Sequence, residues 1–92
     1  WVRDAAITAI EIAEAQSVLA PAGSDTLADY VRFAKLCQDH ATPTLGHACY
    51  TVAGQARPWS EQNDGPAIQT IALLRLYDQL DPDTRATAAQ II

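Results

Sequence analysis

Three groups of side chains in this 92-residue sequence have the types and spacing to do chemistry. The first is Arg3-Asp4, which sets a planar fork of hydrogen-bond donors beside a carboxylate acceptor, a combination suited to gripping neighbouring hydroxyls. The same two residues also read as a helix N-cap (Asp4) next to an exposed cation. The second is Glu11 and Glu14, three residues apart on a helical pattern. Paired carboxylates can do acid–base work, but such a pair equally forms a solvated patch or reaches a neighbouring arginine. The third is Cys37, His40, His47 and Cys49. Their order, Cys37-x2-His40-x6-His47-x-Cys49, fits no usual zinc spacing, so neither metal nor cofactor is expected. The bland reading is a helix-end cysteine followed by loop residues, and two cysteines do not define a disulfide framework.

The elements that would position these residues are helices. Residues 4–19 read as one, with Asp4 as its cap and apolar residues nearly all round (Ile7, Ile10, Ile12, Val18, Leu19), which predicts burial. Pro21-Ala22-Gly23 breaks it. Residues 26–40 form an amphipathic second helix, with Leu27, Tyr30, Val31, Ala34 and Cys37 on one stripe and caps on offer from Ser24, Asp25 and Thr26. Residues 41–65 are a long irregular stretch, of the kind that often carries function, with short extended pieces near 48–52. Asp64-Gly65-Pro66 opens a third helix, again apolar on most of its surface, ending near Leu80. Asp81-Pro82 opens a fourth over 82–92. The order is therefore buried, amphipathic, buried and a further helix. That suggests successive αα-hairpins with inner and outer helices alternating, and a 25-residue loop suits a simple four-helix bundle poorly.

Composition narrows the functions. The chain is 49% hydrophobic and 18% charged, as a packed globular piece is. Its net charge is −5 and its six cations are scattered, so nothing suits a nucleic-acid backbone. No apolar run reaches the length of a membrane span, and no leader is read in these residues. The sequence opens on Trp1 and stops at Ile92 inside a helical pattern, so the expectation is a single partial domain over 1–92, incomplete at both ends.

Two segments are more specific than composition: Trp1-Val2-Arg3-Asp4 at the mouth of the first helix, and Tyr50-Thr51, then Arg57-Pro58, then Gln62-Asn63-Asp64-Gly65-Pro66-Ala67 opening the third. In this order, with one outer helix between them, they resemble the glucoamylases of glycoside hydrolase family 15. That resemblance, which spans essentially the whole chain, implies a fragment of an (α/α)6 barrel, about two of its hairpins. The parent would release glucose, with inversion, from the non-reducing ends of α-1,4-glucans or maltooligosaccharides. The remainder of the same domain would be the chain's partner. It also implies that Arg3 and Asp4 grip the terminal sugar, that Trp1 lines the pocket wall and that Arg57 is a second sugar contact. Asp64 is expected to cap its helix. The sequence departs from the family pattern in having no Trp before Arg57. Trp59 follows Pro58 instead, and it either takes over the aromatic role or packs under the loop. Inverting glycosidases need two carboxyl groups, and none of the chain's three Glu residues (Glu11, Glu14, Glu61) falls in a matching segment. No catalytic residue is therefore assigned, and the 92-residue piece alone is expected to be inactive. Secretion or periplasmic export is what the family suggests. The alternative is a non-catalytic glucoamylase-like regulatory or interaction module.

Overall fold

The computed structural model describes residues 1–19, 22–40, 47–57 and 62–92. Its described residues outside the 47–57 segment are mostly helical: α1 (Val2–Glu14), α2 (Gln16–Leu19), α3 (Ala22–His40), α4 (Gly65–Leu76) and α5 (Pro82–Ile91), with a 3-10 turn over Tyr77–Gln79 between the last two. No helix among the described residues is long and apolar enough to cross a membrane.

The first helix begins earlier than expected. Trp1, not Asp4, is its N-cap, and no side chain caps it. The reason lies far away in sequence: the Val2 N–H donates to the Ala48 carbonyl at 2.8 Å, so the loop satisfies a donor that a capping side chain would otherwise take. The helix also stops sooner, at Glu14, and α2 is a separate short turn. The Gln79 amide donates to the Ala13 carbonyl at 3.1 Å, occupying an acceptor the continuing helix would have used. Ala15 then takes a bridge-region conformation, φ −87° and ψ 8°. The second long helix starts at Ala22, which puts Ser24, Asp25 and Thr26 inside it rather than ahead of it, and Ser24 Oγ accepts from the Gln16 amide.

The helices form two layers. The largest interfaces are α1 on α4 and α3 on α5, each pairing a helix with the next-but-one long helix rather than with its sequence neighbour. Both pairs are parallel. Arg3 meets Asp64 where α1 and α4 begin, and Glu14 meets Arg75 where they end. Near their C-terminal ends, α3 and α5 are joined by a hydrogen bond from the Gln38 amide to the Ile91 carbonyl at 3.2 Å. An up-and-down bundle would make antiparallel sequence neighbours the main contacts. In this chain the main contacts are instead between parallel, next-but-one long helices.

The core lies between the layers, where Leu27, Val31, Leu73 and Leu76 are the largest fully buried side chains. The buried residues of α1 are all alanines (Ala6, Ala9, Ala13), which lets its backbone approach closely; Ile12 packs half-buried against the core, while Ile7 is 49% exposed. On α4, Ile71 (49%) and Leu74 (59%) are exposed as well. The expectation that both inner helices are buried therefore holds on their core side only. Each turns a partly apolar second face outward.

The opening of α5 follows its sequence signal. Asp81 is the N-cap and accepts from the Thr84 N–H at 2.9 Å and from the Thr84 hydroxyl at 2.6 Å. These bonds, the hydroxyl first, hold the Asp81 carboxyl below its ordinary value of 3.8. A depressed folded value contributes stability above 3.8 that is lost as pH falls through the lower folded value. Asp81→Ala is thus expected to lower the thermal midpoint at pH 7, and the gap from the parent chain should narrow as the pH falls below 3.8. Asp81→Asn should keep most of the cap at pH 7. A gap that does not change over that fall would show that the ionised carboxylate has no such role.

Candidate functional site

The N-terminal ends of α1 and α4 lie side by side because Gly65 permits it. A Cβ added there would stand 3.3 Å from Val2 Cγ1, tighter than ordinary packing. Across this contact Arg3 Nη1 donates to Asp64 Oδ2 at 3.2 Å, joining residues 61 positions apart. Both side chains are about half exposed. Asp64 is the N-cap residue of α4, yet its carboxylate makes no capping bond. The expected cap role is replaced by the ion pair, which draws the carboxylate sideways toward α1. Asp4 is exposed in the first turn of α1, one position beyond Arg3.

Residues 47–57 complete this end of the molecule. The Gly54 N–H donates to the Thr51 carbonyl and the Thr51 N–H to the Gln55 carbonyl, both at 2.9 Å, closing a tight turn. Tyr50 and Ala56 form an antiparallel bridge, and the Arg57 N–H donates to the Cys49 carbonyl at 2.9 Å. The part of the long loop that is described is thus a small hairpin, not an irregular run. Gly54 has φ 80°, the left-handed conformation such turns require. Its carbonyl lies 3.1 Å from His40 Nδ1 at the end of α3, which pins the hairpin against the outer layer.

Of the expected site residues, Arg3 and Asp4 stand at the rim, and Arg57 is exposed on the hairpin that the Val2–Ala48 bond ties to the same end. Trp1 is 62% exposed and borders a small cavity between the layers with Tyr30 and Phe33. Trp59 and Glu61 lie outside the described residues. Asp64 is the residue that sequence reasoning misplaced, because a helix-opening Asp-Gly-Pro looks the same whichever way the carboxylate turns. Glu14 pairs with Arg75 at 3.7 Å at the far end of the inner layer, away from the rim.

The cysteines and histidines separate into packing roles. Cys37 is a buried free thiol, and burial pushes it up to about 11. Burial likewise raises Tyr30 to about 12. His47 meets Tyr50 edge-on, with ring centroids 6.3 Å apart. Among the described residues no three His, Cys, Asp or Glu side chains come together as metal ligands would.

The class these features define is an all-α protein whose main helix pairs run parallel, with a polar rim at one end. No protein-family model, curated protein or solved structure matches the chain.

Proposed function

We propose that the chain is part of a glucoamylase-type glycoside hydrolase domain, supplying about two hairpins of an (α/α)6 barrel and part of the rim that holds the terminal glucose of an α-1,4-glucan. The observation that carries this reading is the Arg3–Asp64 contact. It draws together the two segments that resemble family 15 glucoamylases, Trp1-Val2-Arg3-Asp4 and Gln62-Asn63-Asp64-Gly65-Pro66-Ala67, at one end of a parallel inner pair. Such a barrel needs inner helices that run parallel and are apolar on more than one side, and α1 and α4 have both properties. Chemically, Asp64 occupies one guanidinium nitrogen of Arg3. The rest of the fork remains to donate to sugar oxygens, while Asp4 accepts from hydroxyls. No catalytic carboxylate is assigned in these residues, so in this reading hydrolysis belongs to the parent domain.

The direct test is titration of the chain with maltose, followed by amide chemical shifts. Saturable shifts at Arg3, Asp4 and Asp64 are expected, with Arg3→Ala or Asp4→Asn weakening binding about tenfold, the worth of a charge-assisted contact. Arg3→Lys should recover little, because an ammonium cannot reproduce the fork. Shifts that never saturate, or that are indifferent to these substitutions, would remove the sugar-binding reading. Extending the reading frame past both ends then separates a hydrolase, which must supply two Glu residues, from a non-catalytic module, which lacks them.

A further inference from the structure

Asp64 stands at the start of α4 with a half-exposed carboxylate that makes no capping bond. The next residue is Gly65, and of the chain's Asp residues only this one precedes a glycine. That order has a chemistry of its own. A backbone nitrogen one residue beyond a carboxyl side chain is placed to attack it through a five-membered ring. A side chain on the attacking residue crowds the approach, and Gly65 carries none. Its N–H is also among those that a helix start leaves without an intrahelical partner, so no bond of α4 holds it.

Two restraints oppose the ring. The first is the backbone. Asp64 has φ −86° and ψ −16°, which sets its Cβ and the Gly65 nitrogen well apart about the Cα–C bond, whereas ring closure needs them eclipsed. Turning that bond takes the Asp64 carbonyl away from the Ile68 N–H, which donates to it at 3.0 Å. Helix ends open locally at little cost, so this restraint is intermittent. The second is the side chain. Arg3 Nη1 donates to Asp64 Oδ2 at 3.2 Å and draws the carboxylate toward α1. That contact comes from a different helix, so it restrains the carboxylate even as the first turn of α4 opens.

We propose that Asp64-Gly65 is a self-modification site, at which the chain converts Asp64 to isoaspartate, and that Arg3 slows the conversion. With the Asp64 carboxyl in its neutral form, the Gly65 nitrogen attacks Cγ. The N–Cγ bond forms, the nitrogen gives up its proton, Cγ loses its hydroxyl, and water leaves a cyclic imide. Water then adds back to either imide carbonyl. Cleavage at Cγ restores Asp64. Cleavage at the Asp64 carbonyl carbon leaves the main chain running through Cβ and Cγ, with the former backbone carbonyl as a free carboxylate. Water is lost and regained, so the product has the mass of the parent chain. Its main chain is longer by one carbon, which disrupts the meeting of Asp64 with Arg3. The site rests on this dipeptide and this contact, and not on the sugar-binding reading of the rim.

The test is to age the full chain in warm buffer at neutral pH and locate isoaspartate by peptide mapping with electron-transfer fragmentation, which separates the isomers at equal mass. Isoaspartate should accumulate at position 64 ahead of every other Asp. Arg3→Ala should raise the initial rate about threefold, the modest worth of a half-exposed ion pair, with the helical circular-dichroism signal unchanged. If alanine prevents folding, Arg3→Gln removes the charge while keeping a long side chain. Arg75→Ala removes the ion pair at the far end of α1 and α4 and should leave the rate at position 64 as it is in the parent chain. The proposal is overturned if position 64 isomerises no faster than the other Asp residues, if the folded Arg3 variant reacts at the parent rate, or if Arg75→Ala accelerates the reaction as much as Arg3→Ala does.

Discussion

Leu73→Ala is expected to remove a large share of the chain's stability and to lower its urea midpoint sharply. Leu73 is fully buried at the meeting point of α1, α3 and α4, in a core whose other large members are Leu27, Val31 and Leu76. α1 lends that core buried alanines and the half-buried Ile12, so filling the space left behind would require Ile12 or its half-buried neighbours to move inward. Deleting a buried leucine in such a setting costs about 2–5 kcal/mol, and more where the cavity persists. Small domains hold roughly 5–15 kcal/mol in total, and one of this length belongs toward the lower end. The check is urea denaturation followed by circular dichroism, with Leu74→Ala as the comparison. Leu74 is the neighbouring leucine on the same helix but is 59% exposed, so its truncation should move the midpoint little. Equal effects at both positions would contradict the packing described for α4.

The second large effect is expected at Gly54. Gly54→Val places a β-branched residue at φ 80°, where an L residue costs about 1–2 kcal/mol before any contact is counted. The added Cβ would also stand 2.7 Å from Leu36 Cγ, a branch carbon that cannot swing away as a chain tip would. The hairpin would lift from α3, losing the approach of the Gly54 carbonyl to His40 and pulling on the Val2–Ala48 bond that starts α1. The measurable result is faster amide exchange at Val2, Thr51 and Arg57 together with a lower thermal midpoint. Val52→Ala, at an almost fully exposed position two residues earlier, should change neither. Protected amides in the Gly54→Val chain would show that the hairpin is not anchored through this glycine.

These cases also mark what can be read from the sequence. Asp81-Pro82 gave the start of α5 because the whole device is local: the carboxylate, the proline and Thr84 lie within one turn. The stripe Leu27, Val31, Ala34 and Cys37 identified the core side of α3 for the same reason, since helical periodicity is a property of the segment itself. Three of the errors arose where a distant group competed for a backbone atom or a carboxylate. Ala48 takes the first amide of α1, Gln79 takes the Ala13 carbonyl and ends the helix early, and Arg3 draws Asp64 away from its cap. Of the site, the residue types at Arg3 and Asp4 were legible, but the meeting of Arg3 with Asp64 was not, because nothing in either segment encodes the distance between them.

The inner pair has a further consequence for how the chain chooses its own arrangement. Arg3, Ile7, Ile10 and Glu14 on α1 and Asp64, Ile68, Ile71 and Arg75 on α4 follow the same four–three–four spacing, so each forms one stripe, with an ion pair at either end and isoleucines between. The two ion pairs have opposite polarity: the cation is on α1 at the rim and on α4 at the far end. If α4 were reversed, Arg75 would face Arg3 and Asp64 would face Glu14, like charge against like at both ends. If it slipped by one turn, Arg3 would face an isoleucine. Both pairs are about half exposed or more, so neither adds much to stability. What they supply is a penalty on the wrong direction and the wrong offset. Salt screens such a penalty, so raising ionic strength should blunt the chain's choice among helix pairings well before it weakens the folded form.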